Sequence, residues 1–186
     1  ETVQLRDYAD PVHRRIDSPP AGGGPGMILR ADIVGRALDA KLDPDLRFVL
    51  PSPRGQRLDQ SWCVKAAKSP GIAILCNRYQ GIDERIIEQW QPEQISLGDF
   101  ILAGGEAAAL VMAESCIRLL DHVVGNSKSL LCESHSEGLL DHPHYTRPVR
   151  WRSRSIPEVL RSGHHEEIAK WRSMMRTQIT GRYRLD

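Results

Sequence analysis

The sequence predicts an α/β fold built around a mainly parallel sheet. Three short apolar runs each end in a turn-forming segment, and each is followed by a helical pattern. The clearest run, Ile72–Cys76, changes abruptly to polar and glycine residues. A buried parallel strand delivers a ligand loop at its carboxyl end in this way. Because the pattern occurs three times, we expect a ligand site built from several strand ends.

The predicted elements follow one another in α/β order. Residues 1–20 are typical of an arm or edge strand, and the glycine-rich loop Gly22–Gly26 precedes the first helix. Pro51 and Pro53 end the first compact strand, because neither helix nor strand continues through them. The predicted strands are Arg47–Leu50, Ile72–Cys76 and Asp99–Leu102. The predicted helices are Ala31–Ala40, Leu58–Ala67, Asp83–Trp90, Gly104–Leu120 as the longest, and His164–Ile179.

Composition is ordinary for a globular protein, with 186 residues, 40% hydrophobic and 26% charged. No apolar run is long enough to span a membrane, and no signal peptide pattern begins the chain, so we expect a cytoplasmic protein without a membrane partner. The thiols Cys63, Cys76 and Cys116 lie in apolar contexts and are predicted to be buried.

Charge is divided unevenly along the chain. Residues 1–141 hold 15 Lys and Arg against 20 Asp and Glu, whereas residues 142–186 hold 10 against 4. A basic end on a nearly neutral chain favours a polyanion partner, nucleic acid first, although a solvated helical face would give the same count. The apolar stripe Ile168, Trp171 and Met175 within this end predicts a packing face.

Two glycine segments are candidates for ligand contact. Gly22–Gly26 could cradle a phosphate through its backbone amides, but it lacks the P-loop and dinucleotide spacings and is more typical of a turn. Gly104 and Gly105 open a helix, where missing side chains allow either close ligand approach or tight strand–helix packing. The residues alone leave both alternatives open.

Metal and hydrolase chemistry are poorly supported. His135, His142 and His144 with Cys132 fit no common zinc spacing, so no metal site is predicted. No GxSxG elbow is present. From the residues alone, Arg118 complements a helix C-terminus and Glu133 is a solvated carboxylate.

A series of motifs runs through nearly the whole chain. They are Arg6–Tyr8, His13–Asp17, Gly22–Met27, Ser52–Gln60, Arg78–Arg85, Ser96–Glu106, Glu137–Pro148, Ser162–Ile168 and Lys170–Arg172. In these motifs and their order the chain resembles the bacterial TrmD-type tRNA (guanine-37-N1)-methyltransferases of the SPOUT superfamily. In that family a first strand precedes Glu1 and more of a helical domain follows Asp186, so the resemblance implies a fragment.

The resemblance implies a deep trefoil knot in the parallel sheet, which periodicity does not reveal. It implies a knotted domain at 1–125, an interdomain loop at 126–155 and the start of a helical tRNA-binding domain at 156–186. It also implies S-adenosylmethionine as methyl donor. The matching cofactor positions are Leu50, Ser52, Pro53, Asn77, Tyr79, Gly81, Ser96, Leu97, Gly98, Asp99, Phe100, Ile101, Leu102, Gly104 and Gly105.

The resemblance further implies an obligate homodimer whose active sites are shared between subunits. Its substrate is the tRNA anticodon stem-loop, in which the target guanine must be unpaired. By match to the family, Glu133 takes the N1 proton and Arg118 stabilises charge on O6. The basic residues Arg147, Lys170 and Arg172 would hold tRNA phosphates.

Three positions depart from the family pattern. Glu133 stands where the family has Asp, Asn77 where it has Gly, and Gln80 where it has Glu. Gln80 lacks the negative charge with which the family's Glu could help to bind substrate or a magnesium ion. Magnesium is therefore retained only as a candidate cofactor. These departures define one alternative, a catalytically impaired SPOUT homologue that binds tRNA or cofactor. A nucleotide-dependent oxidoreductase is a further alternative, but GxGxxG is absent.

Overall fold

The computed structural model describes residues 1–126, 130, 133–135 and 137–184. The chain divides into two compact units, Glu1–Val124 and Gly125–Asp186. Within the described residues, no helix combines the length and apolar character that a membrane crossing would need.

The first unit alternates strands and helices. A 3-10 helix, Leu5–Tyr8, begins it. The strands are β1 (Asp17–Ser18), β2 (Ile28–Leu29), β3 (Arg47–Arg57), β4 (Ile72–Ile74) and β5 (Glu93–Ser96). The helices are α1 (Ala31–Lys41), α2 (Gln60–Ala67), α3 (Glu84–Trp90) and α4 (Glu106–Ile117).

A parallel sheet in the order β4-β3-β5 forms the centre of this unit. Val49 and Leu50 are neighbours in β3, and their side chains enter separate cores because successive strand residues point to opposite faces. Val49 packs with residues of α2 and α4, whereas Leu50 packs with residues of α1 and α3. The predicted α/β class with a parallel sheet is therefore confirmed.

Side-chain caps set where two of the helices begin. The Asp59 carboxylate accepts a hydrogen bond from the Trp62 backbone N–H at 2.7 Å, and α2 begins just after it. The Asp83 carboxylate accepts one from the Arg85 backbone N–H at 3.0 Å, and α3 follows. Caps of this kind stabilise a helix by about 0.5–2 kcal/mol. Both α2 and α3 start within two residues of their predicted positions.

The third strand was predicted at the wrong place. It is Glu93–Ser96, whereas the predicted strand 99–102 is an irregular loop with Ile101 79% exposed. Two polar residues, Glu93 and Gln94, obscure the strand in the sequence. The Glu93 carboxylate is accommodated because Arg47 and Trp62 donate hydrogen bonds to it.

The prolines do not end the first strand. β3 continues to Arg57, and both Pro51 and Gln56 lie opposite Ile95, so the intervening residues bulge out of the ladder. Prolines are tolerated at such bulges. Gly55 lets the bulge return to β5, since a Cβ there would lie 2.4 Å from the backbone carbon of Gln94.

The glycine-rich segment is the turn of a β-hairpin. β1 pairs antiparallel with β2, and the loop between them contains four glycines with positive φ. Gly24, for example, has φ of 119°, a conformation that residues with a side chain rarely adopt. The structure therefore favours the turn interpretation of Gly22–Gly26, and β2 lies between this loop and α1.

The second unit contains a hairpin and the longest described helix. β6 (Arg150–Trp151) pairs antiparallel with β7 (Arg154–Ser155), so the predicted loop 126–155 has regular structure near its end. α5 (His165–Tyr183) has 19 residues, whereas α4 has 12 and was predicted to be the longest. The half-buried Trp171 ring of α5 lies 6.3 Å from the rings of His142 and Tyr145, which agrees with the predicted packing stripe.

An ion pair supported by an indole joins β3, β5 and α2. Arg47 donates two hydrogen bonds to the Glu93 carboxylate, at 2.7 and 2.8 Å, and the Trp62 indole N–H donates a third at 2.9 Å. The Arg47 guanidinium also lies 5.2 Å from the Trp62 ring centroid. The Arg47 hydrogen bond lowers the pKa of Glu93, and the Trp62 bond adds to this against the opposing effect of partial burial.

We expect Glu93→Gln to lower the free energy of unfolding by about 1.5–3 kcal/mol at pH 7, the range for hydrogen bonds to charged groups. Because the folded-state pKa of Glu93 is lowered, its contribution is complete above the unfolded value of about 4.3 and disappears as pH falls through the folded value. Urea unfolding of both proteins at several pH values would measure this. Glu84→Gln, which breaks the exposed pair with Arg54, is the control and should cost under about 1 kcal/mol. An equal Glu93→Gln loss at neutral and strongly acid pH would contradict the prediction.

Candidate ligand cavity and basic unit

A cavity of about 360 Å³ opens where the three parallel strands end. Its walls come from the β3 bulge at Pro51–Pro53, the loop Asn77–Gly81 after β4, and the segment Ser96–Gly105 after β5. Open α/β sheets bind ligands at the carboxyl ends of their strands. The volume lies within the range of roughly 300–1,000 Å³ that small-molecule sites occupy.

The structure brings thirteen of the fifteen predicted cofactor residues to this cavity. The exceptions are Leu50 and Asp99. Leu50 is only 2% exposed because its side chain fills the core beneath the sheet. The Asp99 side chain is fully exposed, with a carboxylate oxygen 3.9 Å from Arg57. The lining residues that were not predicted are Pro51, Gln80, Ile95, Ala103 and Ala108.

Different signals were available for these missed residues. Gln80 and Ala103 adjoin predicted positions in the sequence, so contiguity could have identified them. Ile95 becomes adjacent only once β5 is placed correctly, and Pro51 only once the β3 bulge is known. Ala108 lies on the buried face of α4, and no local pattern marks it.

Backbone contacts join the loops after β4 and β5. The Gly105 N–H donates to the Asn77 carbonyl at 2.7 Å, and Arg78 bridges Gly104 in antiparallel fashion. The Arg78 side chain adds an ion pair to Glu106 at 2.6 Å, which lowers the pKa of that carboxyl group. Two walls of the cavity are therefore held at a defined separation.

The glycine-rich hairpin supports the Asn77–Gly81 loop from its other side. Gln80 N–H donates to the Met27 carbonyl and Leu29 N–H donates to the Gly81 carbonyl, each at 3.0 Å. A Cβ on Gly26 would lie 2.5 Å from the Gln80 side chain. Gly26 and the residues that follow it therefore support the cavity loop, and none of Gly22–Gly26 lines the cavity.

The cavity wall is mainly apolar, includes a few serine and amide side chains, and carries no charged residue. Tyr79, Phe100 and Ile101 are 48%, 55% and 79% exposed, although such large side chains are usually covered. None of the lining residues, all within the described part of the chain, is Asp, Glu, Lys, Arg or His. The cavity can hold a ligand through apolar contact and backbone groups, but proton transfer needs a group from elsewhere.

The two predicted catalytic residues lie outside the cavity wall. Arg118 is the C-terminal cap of α4, whose N-terminus adjoins the cavity at Gly105. Since α4 has 12 residues, Arg118 is about 18 Å along the helix axis from that end at 1.5 Å per residue. Glu133 is half-buried and belongs to the second unit. Its neighbour Ser134 accepts a hydrogen bond from the Asp141 backbone N–H at 2.9 Å.

The predicted phosphate-binding residues Arg147, Lys170 and Arg172 all belong to the second unit and are exposed. The Lys170 ammonium lies 3.0 Å from the Glu167 carboxylate, which offsets part of its charge. Exposed cations on one unit fit the charge asymmetry of the sequence.

The described thiols are unsuited to nucleophilic chemistry. Cys63 and Cys116 are buried as predicted, whereas Cys76 is only half-buried, and Cys132 lies outside the described residues. Burial, together with the nearby Cys63 thiol, raises the pKa of Cys116 to about 11. Burial also raises the pKa of Cys63 and Cys76. All three are protonated at neutral pH, and a thiol is a poor nucleophile in that form.

Comparison with known proteins relates the whole chain to one family. A family model described as tRNA (Guanine-1)-methyltransferase TrmD matches residues 1–186. A Bartonella henselae protein named tRNA (guanine-N(1)-)-methyltransferase is 48% identical over 186 residues, covering 100% of this chain and 80% of that protein. A Brucella ovis protein of the same name is also 48% identical, over 100% of this chain and 77% of that protein.

We expect Gly105→Ala to lower the free energy of unfolding by about 1–3 kcal/mol, as overpacking does. Its Cβ would lie 3.0 Å from both the Asn77 nitrogen and the Cys76 Cα, and neither backbone atom yields easily. Urea denaturation measures the change. Gly125→Ala is the matched control, because its Cβ would meet nothing within 4 Å. Equal stability of the two variants would show that the loop junction tolerates a side chain.

Proposed function

Because the chain belongs to the tRNA (guanine-1)-methyltransferase family, we propose that it transfers a methyl group from S-adenosylmethionine to N1 of guanosine 37 in tRNA. The observation that carries this proposal is the uncharged cavity, where the strand-end residues of the family motifs converge. A site of this kind binds a cofactor and leaves the acid–base chemistry to residues outside it.

The residues of the cavity fit S-adenosylmethionine. Tyr79, Phe100 and Leu102 offer aromatic and aliphatic walls for an adenine ring. Gly104 and Gly105 lack side chains where a ligand would meet the backbone. When bound, the cofactor supplies an electrophilic methyl group on a sulfonium and leaves as a neutral thioether. Leu50 supports the wall from within the core, and Asp99 flanks it.

We also propose that the β3 bulge and the two other cavity loops form the trefoil knot of the SPOUT fold. The contacts between Asn77, Arg78, Gly104 and Gly105 support this, because they hold the two later loops together. In this proposal the knotted domain extends over 1–125 and the linking segment over 126–155. Residues 156–186, which include α5, begin the C-terminal helical domain.

The position of Arg118 supports the proposal of a homodimer. This residue caps the end of α4 that is remote from the cavity of its own chain. The same helix exposes Leu110 at 72%, Val111 at 46% and Ile117 at 48%. A second copy packed on this apolar face would cover it, and its Arg118 could reach the cavity of the first. The active site is then shared between subunits.

The proposed chemistry assigns one role to each catalytic residue. The Glu133 carboxylate accepts the proton of guanine N1, so that the N1 electron pair can form the new bond to carbon. The Arg118 guanidinium stabilises the negative charge that develops on O6. Both groups come from outside the cavity wall, which agrees with the absence of charged residues among those that line it.

Substrate binding belongs to the second unit in this proposal. Arg147 and Arg172 present exposed guanidinium groups, and Lys170 adds an ammonium. Such groups position a phosphate backbone without reading its sequence. An anticodon stem-loop presents the unpaired bases that a protein needs to reach guanine N1. The proposal places the protein in the cytoplasm with tRNA and assigns no residue to magnesium.

Methyl transfer from labelled S-adenosylmethionine to unmodified tRNA transcripts tests the function. We expect label on a transcript with guanosine at position 37 and none on a matched transcript with adenosine there. Thermal shift with S-adenosylmethionine and with NAD measures cofactor binding separately. Cofactor binding without transfer would support the alternative of a catalytically impaired homologue, for which Asn77, Gln80 and Glu133 are the relevant departures. Stabilisation by NAD alone would overturn both the proposed methyl transfer and the impaired-homologue alternative.

We expect Glu133→Ala to lower the single-turnover rate of methyl transfer by at least about a hundredfold, because the N1 proton would lose its acceptor. The thermal shift with S-adenosylmethionine should be unchanged, since Glu133 does not line the cavity. Glu166→Ala, an exposed carboxylate at the start of α5, is the control and should transfer at the wild-type rate. A fully active Glu133→Ala would exclude this residue as the base.

A further inference from the structure

Three potential ligand groups converge in the second unit, away from the ligand cavity. Asp141, His142 and His144 each present one ligand atom, and these atoms lie within 4.8 Å of one another. The set differs from the cysteine–histidine set that the sequence analysis considered and did not predict as a metal site. Cys132 lies outside the described residues, and His135 is not a member of the cluster. Asp141 supplies the third group instead.

The geometry directs both imidazole rings at one carboxylate. His144 Nε2 lies 3.0 Å from Asp141 Oδ2, and His142 Nε2 lies 3.8 Å from Asp141 Oδ1. His142 Nδ1 is 3.2 Å from the Pro143 carbonyl oxygen, which can only accept a hydrogen bond. A ring whose Nδ1 donates to this carbonyl leaves Nε2, on the side of Asp141, as the atom that can bind a cation.

Surrounding contacts hold two of the three groups in place. The His142 and Asp141 side chains are only 16% and 23% exposed, whereas that of His144 is 71% exposed. The Asp141 carboxylate accepts the His142 backbone N–H at 2.7 Å, and the Trp171 ring lies 6.3 Å from the His142 ring. A fixed ligand pair with one accessible partner allows a cation to enter from solvent.

We propose that Asp141, His142 and His144 bind one divalent transition-metal cation of the zinc type. Two imidazole nitrogens and a carboxylate oxygen are ligands that Zn²⁺ takes, with water in the fourth tetrahedral position. Bonds of about 2.0–2.1 Å place tetrahedral ligand atoms roughly 3.3 Å apart. The observed separations, within 4.8 Å, thus need a contraction that the exposed His144 can supply.

The cation would act structurally at this place. It would fix the short segment at Pro143 between the two histidines and keep the His142 ring beside Trp171 of α5. Two imidazoles favour zinc, cobalt or nickel over magnesium and calcium, which prefer oxygen ligands. None of its three ligands lines the cavity. The Asp141 backbone N–H nevertheless bonds to Ser134, the neighbour of the proposed base Glu133, so Zn²⁺ binding is measured directly and not through methyl transfer.

Equilibrium dialysis of the metal-free protein against Zn²⁺, with elemental analysis, tests the proposal. We expect saturable binding of one Zn²⁺ per chain. Co²⁺ as a probe should give the intense visible absorption of a tetrahedral complex. Loss of an outer-shell partner alone costs roughly 10–100-fold in affinity. We therefore expect His144→Ala, which removes a ligand, to weaken Zn²⁺ binding by at least about tenfold.

His165→Ala is the matched control, because this exposed histidine lies in the same unit but outside the cluster. It should bind Zn²⁺ as the wild type does. His142→Ala should also lose Zn²⁺ binding. Because His142 is largely buried, this variant could unfold, and in that case the result for His144→Ala, at an exposed position, decides the test. The absence of saturable binding, or equal affinity in wild type and His144→Ala, would overturn the proposal.

Discussion

The hydrogen bond from the Gly105 N–H to the Asn77 carbonyl, at 2.7 Å, joins the two loops on which the cavity depends. It requires glycine, because a Cβ at position 105 would lie 3.0 Å from the Asn77 nitrogen and the Cys76 Cα. On one side of this junction begins α4, and on the other the loop Asn77–Gly81 rests against the glycine-rich hairpin. The cavity is therefore a product of backbone proximity. Its shape is set by the ends of the parallel strands and by glycines that let two backbone segments approach each other closely.

A site without charge on its walls separates binding from catalysis. The cavity offers an apolar and backbone surface, which suits a ligand that already carries a reactive group. The proton transfer that methylation of guanine N1 requires must come from residues outside the lining. Arg118 stands at the remote end of α4, and Glu133 belongs to the second unit. This division supports the proposed shared active site, because the first unit contains the cavity but has no charged residue in the cavity wall.

The second unit differs from the first in charge and in the chemistry of its side chains. Residues 142–186 contain 10 basic and 4 acidic residues, and the cations proposed to hold phosphate are exposed. Aromatic contacts at 6.3 Å join Trp171 of α5 to His142 and Tyr145. The proposed metal site lies in the same cluster. The segment 140–148 would thus hold the metal ligands and one of the proposed phosphate contacts, Arg147, whereas Lys170 and Arg172 lie on α5. For variants in this segment, both Zn²⁺ binding and methyl transfer must be measured before a loss of activity is assigned to the metal site or to the RNA contact.

Local sequence determined the class of the fold, the helix starts and a ligand site at the strand ends, whereas the resemblance to the family supplied the individual cavity residues. Apolar runs, caps such as Asp59 and turn glycines act over a few residues, so their effects can be predicted from neighbouring letters. Tertiary structure alone decided the place of β5, because Glu93 becomes acceptable in a strand only beside Arg47 and Trp62. It likewise decided that β3 continues beyond Pro51 and Pro53 and that the Leu50 side chain points into the core. The separation of Arg118 from the cavity and the convergence of Asp141 with two histidines also depend on how the chain folds. The physical reason is common to all of these: each depends on a partner that the chain brings close only when it folds.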